Sequence, residues 1–219
     1  MKYVVIDLEM CKVPKAFRCE EYGLSTETIQ IGSVLLNERY EVVKKFNTYV
    51  RPRYGRLDSF IHRLTGIDKA DIYTAPGFEE AFRNFLDWIG EEDVSCVSWS
   101  DTDKFQLEYE IAAKNINDRR IEPLLNNWID CQKTFGDKMN ATRAIGLEEA
   151  LIASDISPTG RAHDGLMDAY NTAMLFAKLE RDPDYKLNSW YASAKEETTE
   201  HLSISLGDMF KDLMLDLAV

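Results

Sequence analysis

Lys2-Tyr3-Val4-Val5-Ile6-Asp7-Leu8-Glu9, near the start of the chain, decides how the rest is read. The β-branched and aromatic run from Tyr3 to Ile6 favours a buried strand. Alternate side chains of a strand point to one face, so Asp7 and Glu9 project side by side from its end. Two like charges held that close are unfavourable unless something positive lies between them. A divalent cation is the economical answer, and the rest of the chain then has to supply the groups that complete its site.

At 219 residues and 45% hydrophobic content, the chain has room for one sizeable α/β domain and an appendage. Cys11, Cys19, Cys96 and Cys131 show no Cys-x-x-Cys pair and no neighbouring histidine pair, which argues against structural zinc. Reduced thiols fit a cytoplasmic protein. The first apolar run is too short for a signal peptide, and no stretch approaches the ~20 apolar residues of a membrane helix. A soluble protein without a membrane partner is expected. The net charge of −12 argues against a duplex binder that neutralises many phosphates. It leaves room for an enzyme that takes a few nucleotides at a metal site, where the ions supply the positive charge.

Along the chain, Pro14 and Gly23 mark Met10 to Thr28 as loop. Ile29 to Leu36 and Glu41 to Val50 read as strands joined in an antiparallel hairpin. Leu57 to Leu64 reads as a short helix, and Phe78 to Ile89 has helical spacing of core aromatics with Gly90 as its stop. Val94 to Trp99 is a fourth strand. Ser100-Asp101-Thr102-Asp103 then offers two N-caps to a helix over Phe105 to Ile116. Trp128 to Cys131 is a candidate fifth strand, and Gly146 to Ile152 a short helix. A long helix opens at Asp164 and runs to about Leu179, with Met167, Ala169 or Tyr170, Ala173, Met174 and Ala177 expected inward. The pattern predicts an α/β fold, a mixed β-sheet flanked by helices. Residues 1–182 would form the main domain. Residues 183–219 would form a C-terminal helical extension whose apolar face, Leu206 to Leu217, docks on its own domain or makes a homodimer contact.

Three segments carry the chemistry: Asp7 and Glu9 on the first strand, Asp101 and Asp103 at a strand–helix junction, and His163 and Asp168 around the start of the long helix. Sites in open α/β sheets form at the carboxyl ends of strands. Each acid taken singly is a solvated turn residue or a cap. Together, four carboxylates without a cysteine suit Mg²⁺ or Mn²⁺, and two such ions would serve an in-line phosphoryl displacement. His163 would remove a proton from the attacking water.

In this order the residues resemble the three motifs of the DEDDh 3′–5′ exonucleases: Asp7-Leu8-Glu9, an aspartate following Trp99, and His163-x-x-x-x-Asp168. The likeness is greatest to the Eri-like branch, whose members trim RNA 3′ ends. It extends to Glu27-Thr28-Ile29-Gln30-Ile31-Gly32-Ser33-Val34, Tyr49-Val50-Arg51-Pro52, Leu64-Thr65-Gly66-Ile67 and Ser98-Trp99, and spans about residues 2–180. The resemblance implies an RNase H-like fold and two divalent cations held by Asp7, Glu9, Asp168 and a junction aspartate. Asp103 is preferred there to Asp101, because Leu107 follows at the family's spacing. It further implies His163 as general base, Met10 beside the terminal nucleotide, and single-stranded nucleic acid 3′ ends as substrate, RNA favoured and DNA open. Unstacked bases there would be held by apolar and aromatic side chains, for which Met10, Phe105 and Trp99 are candidates. Two other readings remain: a non-catalytic nucleic-acid-binding module of the same fold, and a dinucleotide phosphodiesterase. Arg51, Arg53, Arg56, Arg63 and Lys69 form a cluster in sequence that is either a basic patch or a solvated loop.

Overall fold

The computed structural model describes residues 1–18, 23–182 and 184–187. The predicted helix over Leu206 to Leu217, and the homodimer contact read from it, lie outside the described residues. Within them a mixed five-stranded sheet has the order β3-β2-β1-β4-β5. Strand β1 (Lys2–Lys12) lies at its centre, antiparallel to β2 (Thr26–Leu36), which pairs antiparallel with β3 (Val42–Tyr49). On its other side β1 runs parallel to β4 (Val94–Ser98), and β4 to β5 (Trp128–Asp130). This is the RNase H-like mixed sheet flanked by helices. Among the described residues no helix is long and apolar enough to cross a membrane.

Strand parity sorts the core into two layers. Val4, Ile6 and Leu8 face one side, packing with Phe82, Phe85 and Leu86 of α3 (Phe78–Ile89) and Leu107 of α4 (Thr102–Ala113). Val5 faces the other, with Phe135, Leu151, Ala173 and Phe176. Those residues come from α6 (Cys131–Lys138), α7 (Leu147–Ala153) and α8 (Gly165–Arg181). Asp7 and Glu9 share the parity of Val5, so the strand aims them towards α8. On α8 the buried stripe runs through Ala169, Ala173, Phe176 and Ala177, whereas Met167 and Met174 are only half-buried.

Several strand limits differ from those expected, most at β1 and β2. β1 continues to Lys12, so Asp7 and Glu9 are mid-strand, and β2 begins at Thr26, inside the expected loop. The cause is a run of buried polar residues that imitates a loop in sequence. Thr28 gives its N–H (3.1 Å) and its hydroxyl (2.6 Å) to Glu110, while Thr26 gives its hydroxyl to Gln106 at 2.7 Å. Satisfied in this way, polar groups can be buried without the usual desolvation penalty. Cys131 belongs to α6 rather than to the fifth strand. Short helices α1 (Ser59–Thr65), α2 (Lys69–Thr74) and α5 (Ile121–Asn126) complete the frame. Asp58 caps α1, and Gly66 closes it in the left-handed conformation.

Candidate active site

The acidic centre forms where the sheet loses a neighbour. β4 pairs with β1 only as far as Val5, opposite Val97. Between that point and Lys12, which Arg56 bridges, no strand among the described residues pairs with this edge of β1, and the Leu8 N–H there donates to Asp103 Oδ1 at 3.0 Å. Asp103 lies in the first turn of α4 and is buried. Asp101, at the N-cap position of the same helix, is half-buried and makes no capping bond.

The start of α8 approaches from the face to which Asp7 and Glu9 point. Asp164 caps the helix by accepting from the N–H groups of Leu166 (3.0 Å) and Met167 (3.3 Å). Asp168 follows one turn later, and its Oδ2 accepts the His163 N–H at 2.7 Å. His163 has φ +61°, a left-handed backbone that a histidine adopts at some cost in strain. The Arg161 guanidinium donates to the carbonyls of Arg63 and Leu64, tying the segment before His163 to the end of α1.

Two further residues set this approach. Gly32 faces Asp7 in the ladder, and Gln30 faces Glu9. A Cβ on Gly32 would lie 2.0 Å from the carbonyl carbon of Gly165, so only glycine lets α8 come so close. Gln30, buried, accepts from the Gly165 N–H at 3.1 Å and donates to Asp164 at 3.3 Å and to Asn47 at 3.0 Å. The sequence signal for these residues was a glycine inside a strand, together with the Gln-Ile-Gly run.

The structure thus brings together Asp7, Glu9, Asp103, His163 and Asp168. Single ligand atoms of Glu9, His163 and Asp168 all lie within 4.8 Å of one another. Burial, then the carboxylates of Asp103, Asp168 and Glu9, push the Asp7 carboxyl well above its usual range. Burial, then Asp168 and Asp103, does the same to Glu9. For Asp103 burial outweighs the N–H groups it accepts from, and it rises to about 7; burial likewise lifts Asp168 to about 6. His163 moves the other way, lowered by burial and then by Arg161. Oxygen Oε2 of Glu9 is buried with no hydrogen-bond partner. A group of acids that resists ionisation, with one oxygen unsatisfied, fits a divalent cation.

Other candidates are placed differently. The Met10 side chain is buried, 4% exposed, and Trp99 packs in the core against Phe135 with ring centroids 6.1 Å apart. Phe105 is exposed. Arg51, Arg53, Arg56, Arg63 and Lys69 all reach solvent in part or in full.

Residues 4–176 match the model of the Exonuclease (RNase_T) family. Over 183 residues the chain is 32% identical to ERI1 exoribonuclease 2 of Mus musculus, covering 72% of this chain and 26% of the mouse protein. The chain therefore spans about a quarter of the length of that relative. The nuclease domain of 3′hExo, a DEDDh family member solved bound to rAMP, superposes with a TM-score of 0.70 at 24% identity, covering 86% of this chain and 96% of that one. A 3′-exonuclease solved in 3′-end specific recognition of histone mRNA stem-loop gives a TM-score of 0.68 at 22% identity, covering 83% and 82%. The chain belongs to the Exonuclease (RNase_T) family.

Proposed function

We propose that the chain hydrolyses single-stranded nucleic acid from the 3′ end, with RNA the favoured substrate, releasing nucleoside 5′-monophosphates. The observation that carries this reading is the convergence of Asp7, Glu9, Asp103 and Asp168 around a buried carboxylate oxygen that has no partner. Asp7, Glu9, Asp103 and Asp168 would hold two divalent cations, Mg²⁺ or Mn²⁺, because an all-oxygen donor set suits hard ions. When bound, the cations would supply positive charge to the attacking and leaving oxygens of an in-line displacement.

The remaining work falls to the chain. His163 would take the proton of the attacking water. Burial and Arg161 favour its neutral form, so the imidazole is ready to accept a proton at neutral pH. The Asp168 carboxylate fixes the His163 backbone, and Gln30 fixes the turn that carries both residues. With its side chain turned inside, Met10 would meet the terminal nucleotide through its main chain. The exoribonuclease named among the relatives and the neighbour that recognises an mRNA 3′ end support RNA over DNA.

The test uses Asp7→Ala and His163→Ala. Both variants should lose hydrolysis of a 3′ end. Calorimetric titration with Mn²⁺ should show weaker binding to Asp7→Ala. Undiminished turnover in both variants would overturn the proposed site.

A further inference from the structure

A second feature of the fold is cationic where the chain as a whole is acidic. After β3, residues 51–57 fold over the far end of β1 and form, with α2, a cavity of about 460 Å³, the volume of a small-ligand site. Arg51, Arg53, Arg56 and Lys69 line it, and among the described residues no acid lines it. Nor does any of these four cations form an ion pair among the described residues. The aromatic rings of Phe17, Tyr54 and Tyr73 line the same space.

These groups form an ordered stack. The Phe17 and Tyr54 rings lie 6.0 Å apart at 23°. The Arg53 guanidinium covers Tyr54 at 5.1 Å, and that of Arg56 covers Phe17 at 5.8 Å. Tyr73 is 79% exposed, an aromatic face open to solvent. The loop is held from below. Glu27, fully buried, accepts the N–H groups of Arg53 (3.1 Å), Tyr54 (2.7 Å) and Gly55 (2.6 Å). A buried carboxylate binding three successive amides preorganises the segment that carries the cations.

β1 connects this pocket to the acidic centre. Arg56 bridges Lys12, and the Arg56 N–H donates to the Lys12 carbonyl at 2.9 Å. Lys12 is three strand residues from Glu9, about 10 Å at ~3.3 Å per residue. At ~3.4 Å per stacked nucleotide that is about three nucleotides. Positive side chains interleaved with aromatic faces are what a single strand needs, for its phosphates and bases respectively.

We propose that the Phe17–Arg53–Tyr54–Arg56–Lys69–Tyr73 pocket binds the single strand from about the fourth nucleotide upstream of its 3′ end. The orientation, though not the binding, rests on reading the acidic centre as the 3′-end site. A length threshold follows: KM should fall sharply between a 3-mer and a 6-mer.

The test uses the full chain and the variant Arg53→Gln/Arg56→Gln/Lys69→Gln, whose altered side chains line the pocket and lie outside the acidic centre. Binding of a fluorescent single-stranded 10-mer is followed by anisotropy, with EDTA present to stop hydrolysis. The variant should bind about tenfold more weakly, at a fraction of a kcal/mol for each exposed cation. Its salt slope should be shallower by about 2, at ~0.7 for each phosphate no longer neutralised. Tyr73→Ala should weaken binding about fivefold, from loss of one stacked base, with the salt slope unchanged. In turnover, the triple variant should raise KM for the 10-mer and leave the 3-mer unaffected. Unchanged affinity and slope in both variants would overturn the pocket, even with an active wild type. A wild-type chain that binds the 10-mer through these residues yet hydrolyses nothing would refute the catalytic reading and leave the pocket standing.

Discussion

Gly32→Ala is the sharpest test of how the acidic centre is assembled. An added Cβ would lie 2.0 Å from the Gly165 carbonyl carbon, 2.2 Å from the Leu166 nitrogen and 2.3 Å from the Gly165 oxygen. Ordinary contact begins at 3.4 Å, so relief requires 3.4 − 2.0 = 1.4 Å of separation. All three atoms are backbone, so no side-chain rotation can relieve the clash. β2 is fixed between β1 and β3, so the first turn of α8 has to move, carrying His163 and Asp168 away from Asp7 and Glu9. Misplacing catalytic groups by ~1 Å costs roughly a hundredfold in rate. Overpacking costs about 1–3 kcal/mol, which at ~2–4 °C per kcal/mol lowers the Tm by about 2–12 °C. The assay is kcat/KM on a labelled single strand, paired with a thermal melt. Gly136→Ala is the control: among the described residues its Cβ, within α6, meets only Ala141 at 3.8 Å. That helical substitution should raise stability by about 0.5–1 kcal/mol without changing the rate. If Gly32→Ala kept a rate within threefold of wild type and an unchanged Tm, the close approach would not be what positions α8.

Further outcomes follow from the charges. Asp103 is pushed up to about 7 and Asp168 to about 6, against an ordinary value of 3.8, so the folded state holds protons that the unfolded state has released. Their stabilising protonation is complete at low pH and is lost as pH rises through 6 to 7. The Tm in EDTA should therefore fall between pH 5 and pH 8, and excess Mg²⁺ should flatten the fall; a Tm in EDTA that rises over this range would contradict the acidic cluster. Asp103→Asn removes one buried charge while leaving an oxygen to accept the Leu8 N–H, so at pH 8 in EDTA it should melt above wild type and yet lose hydrolysis. Asp101→Asn should keep a near-normal rate, and the reverse pattern would move the junction ligand to Asp101. His163→Gly keeps the left-handed backbone without strain, so it should lose turnover with little change in Tm; retained turnover would remove His163 as general base.

The order of the acids was readable in the sequence because each follows a run of strand or helix pattern. The sheet, the β2–β3 hairpin, β4 and a long helix opening at Asp164 came from apolar periodicity; that Asp164 caps this helix is seen only in the structure. What was hidden was tertiary. Asp101 and Asp103 are both junction acids by residue pattern, and the resemblance prefers Asp103 only through its spacing to Leu107; their different surroundings appear in three dimensions, where the edge of β1 offers Asp103 the Leu8 N–H. Thr26, Glu27 and Thr28 read as loop because their partners, Gln106, Glu110 and the amides of Arg53 to Gly55, are more than twenty residues away. Gln30 and Gly32 look like ordinary strand residues until α8 is laid across them. The basic cluster was visible as a run of residues. Its stacking on Phe17 and Tyr54 depended on a buried carboxylate that no local pattern reveals.

The central claim is 3′-end hydrolysis at a metal-dependent acidic centre. It is tested most directly by incubating 5′-labelled single-stranded RNA and DNA of equal length with Mg²⁺, with Mn²⁺ and with EDTA. The predicted result is a ladder that shortens from the 3′ end, appears with either ion, vanishes in EDTA and advances faster on RNA. Intact strands under every metal condition, or cuts that begin inside the strand, would contradict it.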